Sequence, residues 1–267
     1  MFASWSSFTA NIVQDSKVDD SQQMRLTGRD KLPKAILFDL DDTILWFGDR
    51  QTVLTQVAEE FADTVLPHSP PEIGTLLEAG FVRFWSDPDR YQRWRFDLPE
   101  ARFLIIDRVF ESIRDTSPAL TTEFARQFAR RFHFRREEEA RFFPGALEAL
   151  DELNFRGVML ALLTNGSAIA QRSKIDKFDL ASRFKHIQIE GEVGYGKPDP
   201  RAYQRALEAL NVSPGDAWMV GDNLEWEVEA PQRLGIYAVW NDFRGKGLPA
   251  NSTVKPDRII HLISELL

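Results

Sequence analysis

Two aspartates stand two residues apart where an apolar run, Lys34 to Leu40, ends: Asp39 and Asp41, with Asp42 and Thr43 directly behind. Side chains at i and i+2 of a strand share one face, so both carboxyls can look into a single cavity. Neighbouring carboxyls resist ionising together, which drives their pKa values apart. One can then be an anionic nucleophile while the other holds a proton for a leaving group. By itself such a pair reads first as a helix cap or a turn.

The pair has company. Thr164, Asn165 and Gly166 end the run Val158 to Leu163. Gly194 to Pro200, which contains Lys197, follows His186 to Ile189. Gly221, Asp222, Asn223 and Glu227 follow Ala217 to Val220. Ligands of an open parallel sheet bind beyond the carboxyl ends of its strands, so these residues are expected on one rim. Buried carboxylates are expensive unless a cation sits among them. Oxygen donors without His favour Mg²⁺ over zinc.

The elements that must position these residues follow from the hydrophobic pattern. Strands are predicted at 34–40, 158–163, 186–189, 217–220 and 236–240, alternating with helices at 144–155, 167–177, 200–210 and 225–234. That rhythm predicts an α/β fold, a Rossmann-like parallel sheet core in a three-layer α/β/α arrangement. The strand runs are apolar nearly throughout, as strands covered on both faces must be. From 49 to 140 the rhythm breaks into helices alone, at about 50–66, 72–86, 99–114 and 120–134, punctuated by HSPP, SDPD and TSP. The expected organisation is a flexible polar arm over 1–30, a catalytic core from 31–48 and 141–267, and a small all-helical domain over 49–140.

Within the helical stretch, Arg90 to Phe96 (RYQRWRF) mixes Arg with aromatics. Arg93 or Arg95 could reach over the site to hold an anionic or hydroxylated leaving group, with Tyr91 or Trp94 shaping the pocket. Trp46 and Phe47 sit where the linker to the helices should start. The run Arg135 to Glu139 (RREEE) reads as a solvated helix face, and the four His residues as surface or packing groups.

Composition closes other routes. A chain of 267 residues that is 43% hydrophobic, with 20 Phe and 7 Trp, can bury a sizeable core. A net charge of -8 argues against a nucleic-acid backbone or an anionic membrane surface as the main partner. With no Cys, disulfides, zinc thiolates and thiol nucleophiles are excluded. The start of the chain lacks a basic leader with an apolar run, and no window nears the roughly 18 apolar residues of a membrane span. A cytoplasmic protein is expected; oligomeric state has no sequence signature.

FDLDDT (Phe38 to Thr43), LLTNG (Leu162 to Gly166), GKPDP (Gly196 to Pro200) and VGDNLEWE (Val220 to Glu227) resemble, in order and at compatible separations, the four motifs of the haloacid dehalogenase superfamily. The helical insertion is similar to the cap of the subgroup that carries it after the first motif. The resemblance implies a phosphatase whose nucleophile, Asp39, becomes a phospho-aspartate and whose general acid and base is Asp41. Thr164, Asn165 and Gly166 would bind the phosphoryl group, with Arg95 the candidate from the cap, and Lys197 would neutralise charge between Asp39 and the phosphoryl oxygens. Asp39, the carbonyl of Asp41 and Asp222 would hold Mg²⁺, with Glu227 in place of the family's usual Asp as an outer support and Glu225 as its substitute. The implied partner is a small phosphorylated metabolite. A phosphomutase, a metal-free dehalogenase and a non-catalytic phospho-ligand binder share the fold. Asp41 speaks against the dehalogenase, because halide departs without a proton.

Overall fold

The computed structural model describes residues 32–267; the arm expected over 1–30, Trp5 and Phe8 included, lies outside the described residues. The centre of the fold is β1 (Ala35–Phe38), whose four side chains are all fully buried. It is flanked by β4 (Met159–Thr164) on one side and β6 (Ala217–Gly221) on the other, both parallel to it. β5 (His186–Ile189) extends the sheet beyond β4, and β7 (Tyr237–Asn241) and β8 (Arg258–Ile260) extend it beyond β6, giving the order β5-β4-β1-β6-β7-β8. Every pairing is parallel, so each return must be made by a crossover, and the apolar strand runs are covered on both faces.

The crossovers are α7 (Ala146–Phe155), α8 (Ala168–Lys177), the single turn α9 (Glu190–Val193) with α10 (Pro200–Leu210), and a π-turn at Leu224–Glu229 running into α11 (Ala230–Gln232). One face of the sheet packs Ala35, Leu37, Ala161 and Met219 against Tyr203, Ala206 and Leu210 of α10. Burying such side chains contributes roughly 25 cal/mol per Å² of apolar surface. Progress along the chain reverses direction across β1, which places a crevice at the carboxyl ends of β1, β4 and β6.

Between Trp46 and Arg141 lie six helices: α1 (Arg50–Glu60), α2 (Ala62–Val65), α3 (Pro70–Trp85), α4 (Pro88–Trp94), α5 (Leu98–Ile113) and α6 (Thr122–Glu139). The expected single helix over 50–66 breaks at Phe61, which leaves helical geometry (φ -120°, ψ 30°). Its ring packs edge-on against Phe124 at 5.3 Å and against Phe128 at 6.1 Å. SDPD, expected only as punctuation, starts α4: Asp87 caps it through the amides of Asp89 and Arg90, with Pro88 at the first helical position. These helices share a core of their own built on Leu54, Ile73, Phe81, Phe110, Phe128 and Phe132.

The chain enters and leaves this helical segment through a two-stranded antiparallel ribbon, β2 (Leu45–Trp46) against β3 (Arg141–Phe142). The Phe143 amide donates to the Ile44 carbonyl at 3.1 Å beside it. Residues from Pro33 onward, sheet and helices together, form one compact unit. Among the described residues no helix is long and apolar enough to cross a membrane.

Candidate active site

The residues that end β1, β4 and β6 meet as the strand-end rule requires. Asp39, immediately after β1, is 8% exposed. Its Oδ1 accepts from Lys197 Nζ at 2.6 Å and its Oδ2 from the Thr43 hydroxyl at 3.2 Å. Burial raises the Asp39 pKa, Lys197 opposes that rise, and Asp41 adds to it.

Lys197 is buried between two carboxylates: the second is Glu227, whose Oε1 lies 2.7 Å from the ammonium. Burial acts to lower the Lys197 pKa, but Asp39 and Glu227 outweigh it and hold the ammonium above its usual value. The other Glu227 oxygen accepts the Asn223 amide at 2.8 Å. Burial pushes the Glu227 carboxyl up to about 7, against the pull of Lys197. Each of its oxygens meets a protein group, so Glu227 seats Lys197. Glu225, the expected substitute, is exposed. Gly221 makes room for this arrangement, since a Cβ there would lie 2.1 Å from Glu227 Cγ. The π-turn explains why the expected helix over 225–234 is not continuous: the Ala230 amide reaches back five residues to the Glu225 carbonyl.

Asp222 has no such partner. Its carboxylate receives no hydrogen bond or ion pair, and burial, then Glu227, Asp39 and Asp42, push its pKa well above the ordinary value. No group of three His, Cys, Asp or Glu among the described residues is ready to hold a metal ion. The donor set nevertheless suits Mg²⁺, which takes one or two carboxylates and keeps several waters. An unpaired, charge-crowded carboxylate beside a buried Asp39 is the setting a hard dication neutralises.

Asp41 is held from α8. Both of its oxygens accept from Lys174 Nζ, at 2.8 and 2.7 Å, and Oδ2 also accepts from Gln171 Nε2 at 3.1 Å. Gln171 reaches Thr164 Oγ1 as well, at 2.6 Å. Both residues come from α8, three apart on one face. The Lys174 ammonium stands over the Phe47 ring at 4.7 Å, so Phe47 packs onto the same cluster.

Asn165 locks the loop after β4 to the lysine loop: its amide nitrogen donates to the Lys197 carbonyl at 2.6 Å and its oxygen accepts the Lys197 amide at 2.9 Å. A Cβ on Gly196 would meet that oxygen at 2.4 Å. The Gly166 amide is taken by Glu190 Oε2 at 3.1 Å. Arg95, expected to reach toward substrate, lies 3.0 Å from the other Glu190 oxygen. It therefore ties α4 to the sheet edge, the helical segment to the core. Tyr91 adds to that tie by packing on Trp226 at 5.3 Å, and burial pushes its hydroxyl to about 12. Arg93 stacks on Trp94.

A cavity of about 720 Å³ opens above this rim. Asp41, Asp42, Asn165, Gly166 and Lys174 line its core side, and Arg95, Arg102, His133 and Arg136 its helical side. RREEE is therefore not a purely solvated face: Arg136 is half-buried, donates to the Gly48 carbonyl at 2.6 Å, and borders the cavity. His133 likewise proves to be a cavity residue.

The family model for haloacid dehalogenase-like hydrolases matches residues 33–235. The chain belongs to that family. This haloacid dehalogenase-like hydrolase is 42% identical over 153 residues to phosphoserine phosphatase of Thermus thermophilus, a match covering 57% of this chain and 59% of that relative. It is 32% identical over 216 residues to glyceraldehyde 3-phosphate phosphatase of Pyrococcus abyssi, covering 78% of this chain and 80% of the relative. In fold it is similar to the HAD-hydrolase YfnB of Bacillus subtilis bound to magnesium, with a TM-score of 0.61 at 20% identity over 88% of this chain and 97% of that one.

Proposed function

We propose that this hydrolase is a Mg²⁺-dependent phosphomonoesterase acting on a small phosphorylated metabolite through a phospho-aspartate on Asp39. The observation that carries the reading is the contact of the buried Asp39 carboxylate with the Lys197 ammonium at 2.6 Å, at a rim where Asp41 faces a cavity large enough for a metabolite.

Asp39 attacks phosphorus and expels the alcohol, which takes its proton from Asp41; Asp41 then deprotonates the water that opens the phospho-aspartate. Lys197 stays beside Asp39, balancing charge on the transferred group as a compact point charge. Thr164 and the backbone near Asn165 supply donors, and α8 begins just beyond them. Asp39, the Asp41 carbonyl and Asp222 would hold Mg²⁺, which supplies positive charge toward the equatorial phosphoryl oxygens. Glu227 lends no support to a non-catalytic reading, because it contacts the Lys197 ammonium at 2.7 Å. The helical segment over 49–140 acts as the cap that covers the substrate, and the cytoplasm is the compartment the composition fits.

The test is phosphate release from an aryl phosphate with and without Mg²⁺, in wild type and Asp39→Asn. Metal-dependent turnover that disappears in the variant is expected. Turnover that survives Asp39→Asn, or none with any monoester, overturns the reading.

A further inference from the structure

Three arginines line the cavity: Arg95, Arg102 and Arg136. Arg95 is paired, meeting Glu190 at 3.0 Å. The other two are not. Arg102 on α5 and Arg136 on α6 both border the cavity, both are half-buried, and neither has a carboxylate oxygen within 4.0 Å. Arg136 spends one donor on the Gly48 carbonyl at 2.6 Å and leans over the Phe47 ring at 5.7 Å. Arg102 donates to His133 Nδ1 at 2.5 Å and stands over Phe132 at 5.6 Å.

A guanidinium can only donate, so His133 Nδ1 must accept, and the ring proton sits on Nε2. Burial, then the neighbouring Arg102 charge, lower the His133 pKa. Burial followed by Arg136 brings the Arg102 pKa down to about 10, and burial lowers that of Arg136. Carboxylates act on the pair only from beyond ion-pair distance, Asp42 and Asp41 on Arg136 and Glu137 and Asp41 on Arg102. Asp42 approaches Arg244 at 3.9 Å, and Glu137 and Asp97 make no ion pair with either arginine. Two partly desolvated like charges with unspent donors destabilise the fold unless something external pairs with them.

Resting on the phosphatase reading above, we propose that Arg102 and Arg136 form an anion subsite on the helical side of the cavity. The substrate is then a phosphomonoester that carries a second anionic group, for which a carboxylate gives the fork-shaped donors their bidentate match. A distal phosphate offers the same chemistry, and the experiment separates the two.

Binding can be read without turnover by titrating the Asp39→Asn protein, in Mg²⁺, with 2-phosphoglycerate, glycerol 2-phosphate, fructose 1,6-bisphosphate and fructose 6-phosphate. The acid is expected to bind at least about tenfold more tightly than its neutral counterpart, a difference of about 1.4 kcal/mol. Arg102→Leu and Arg136→Leu, each placed in that background, are expected to erase the preference. A larger gain for the bisphosphate over the monophosphate than for the acid over glycerol 2-phosphate moves the assignment to a distal phosphate. Equal affinities within both pairs overturn the subsite. A silent wild type with aryl phosphate counts against the phosphatase reading, while the titrations still decide the subsite.

Discussion

Glu227 holds Lys197 at 2.7 Å through one carboxylate oxygen and takes the Asn223 amide at 2.8 Å through the other. The ammonium is thereby fixed from behind while its front stays on Asp39 at 2.6 Å. Replacing it exposes what it balances. Lys197→Met leaves two buried carboxylates without their cation, a loss on the order of 3–5 kcal/mol in urea unfolding. Phosphate release is expected to vanish with it. A variant as stable as wild type sinks the assignment.

Gly221 answers to the same carboxylate. Because a Cβ at that position lies 2.1 Å from Glu227 Cγ, Gly221→Ala must displace either β6 or the glutamate. We expect a stability loss of about 1–3 kcal/mol, as for other overpacked interiors. Activity should fall more than stability alone requires, because Lys197 moves with its seat. A crystal structure of the variant with Glu227 unmoved contradicts this.

The pH dependence follows from the Glu227 value of about 7, against an ordinary 4.5, raised chiefly by burial. Between those values the folded chain keeps a proton that the unfolded chain has released. That contribution to stability is fully present below 4.5 and is lost as pH rises through about 7, by roughly 1–3 kcal/mol. In metal-free buffer the difference in unfolding free energy between wild type and Glu227→Gln should therefore shift against wild type from pH 5 to 7.5. Carboxylates whose values are lowered, such as Asp49 and Glu60, titrate below this window. A difference that stays flat across it refutes the assignment.

Magnesium should stabilise the protein, and more so at higher pH. Asp39 and Asp222 both have raised values, so metal must displace protons at the acid end. At a Mg²⁺ concentration of 100 Kd the gain is about 2.7 kcal/mol. Thermal unfolding between pH 5.5 and 7.5 measures it, and Asp222→Asn should remove most of it. An unchanged shift in that variant excludes Asp222 as a ligand.

Arg95 separates two roles that kinetics can tell apart. As a tie to Glu190, its loss in Arg95→Met leaves a buried carboxylate unpaired and lowers stability by about 1–3 kcal/mol. The double variant with Glu190→Gln should recover most of that loss. A rise in KM with stability intact indicates direct contact with substrate instead.

How much of this was legible depended on pattern length. HIQI at 186–189 and the helix at 200–210 lie where the sequence places them, because one is a clean apolar run and the other is opened by Asp199 and Pro200. β8 went unseen: its three residues, Arg258–Ile260, are too short to show a period. The ribbon of β2 and β3 joins residues almost a hundred positions apart, which no local pattern reports. Asp39, Thr164 and Asp222 stand where apolar runs end, and Lys197 stands in the glycine- and proline-rich loop after one. Glu190 ends one too, directly after Ile189, and was passed over for the glycines behind it. Gln171 and Lys174 left a fainter mark, two polar residues three apart on α8 facing the strand ends. Arg102 and Arg136 left none, since a helix-borne arginine shows whether it is paired only once its neighbours are placed.

That ribbon has a consequence for how such a chain can change. Leu45 and Trp46 pair directly with Phe142 and Arg141, so the helical segment begins and ends at one spot on the sheet's rim. Seen from the core, everything between is a single long loop whose replacement leaves every strand pairing of the main sheet untouched. A different set of helices spliced between Trp46 and Arg141 would inherit the same nucleophile and present it to another metabolite. The recognition surface can therefore be exchanged in one cut while the chemistry stays where it is.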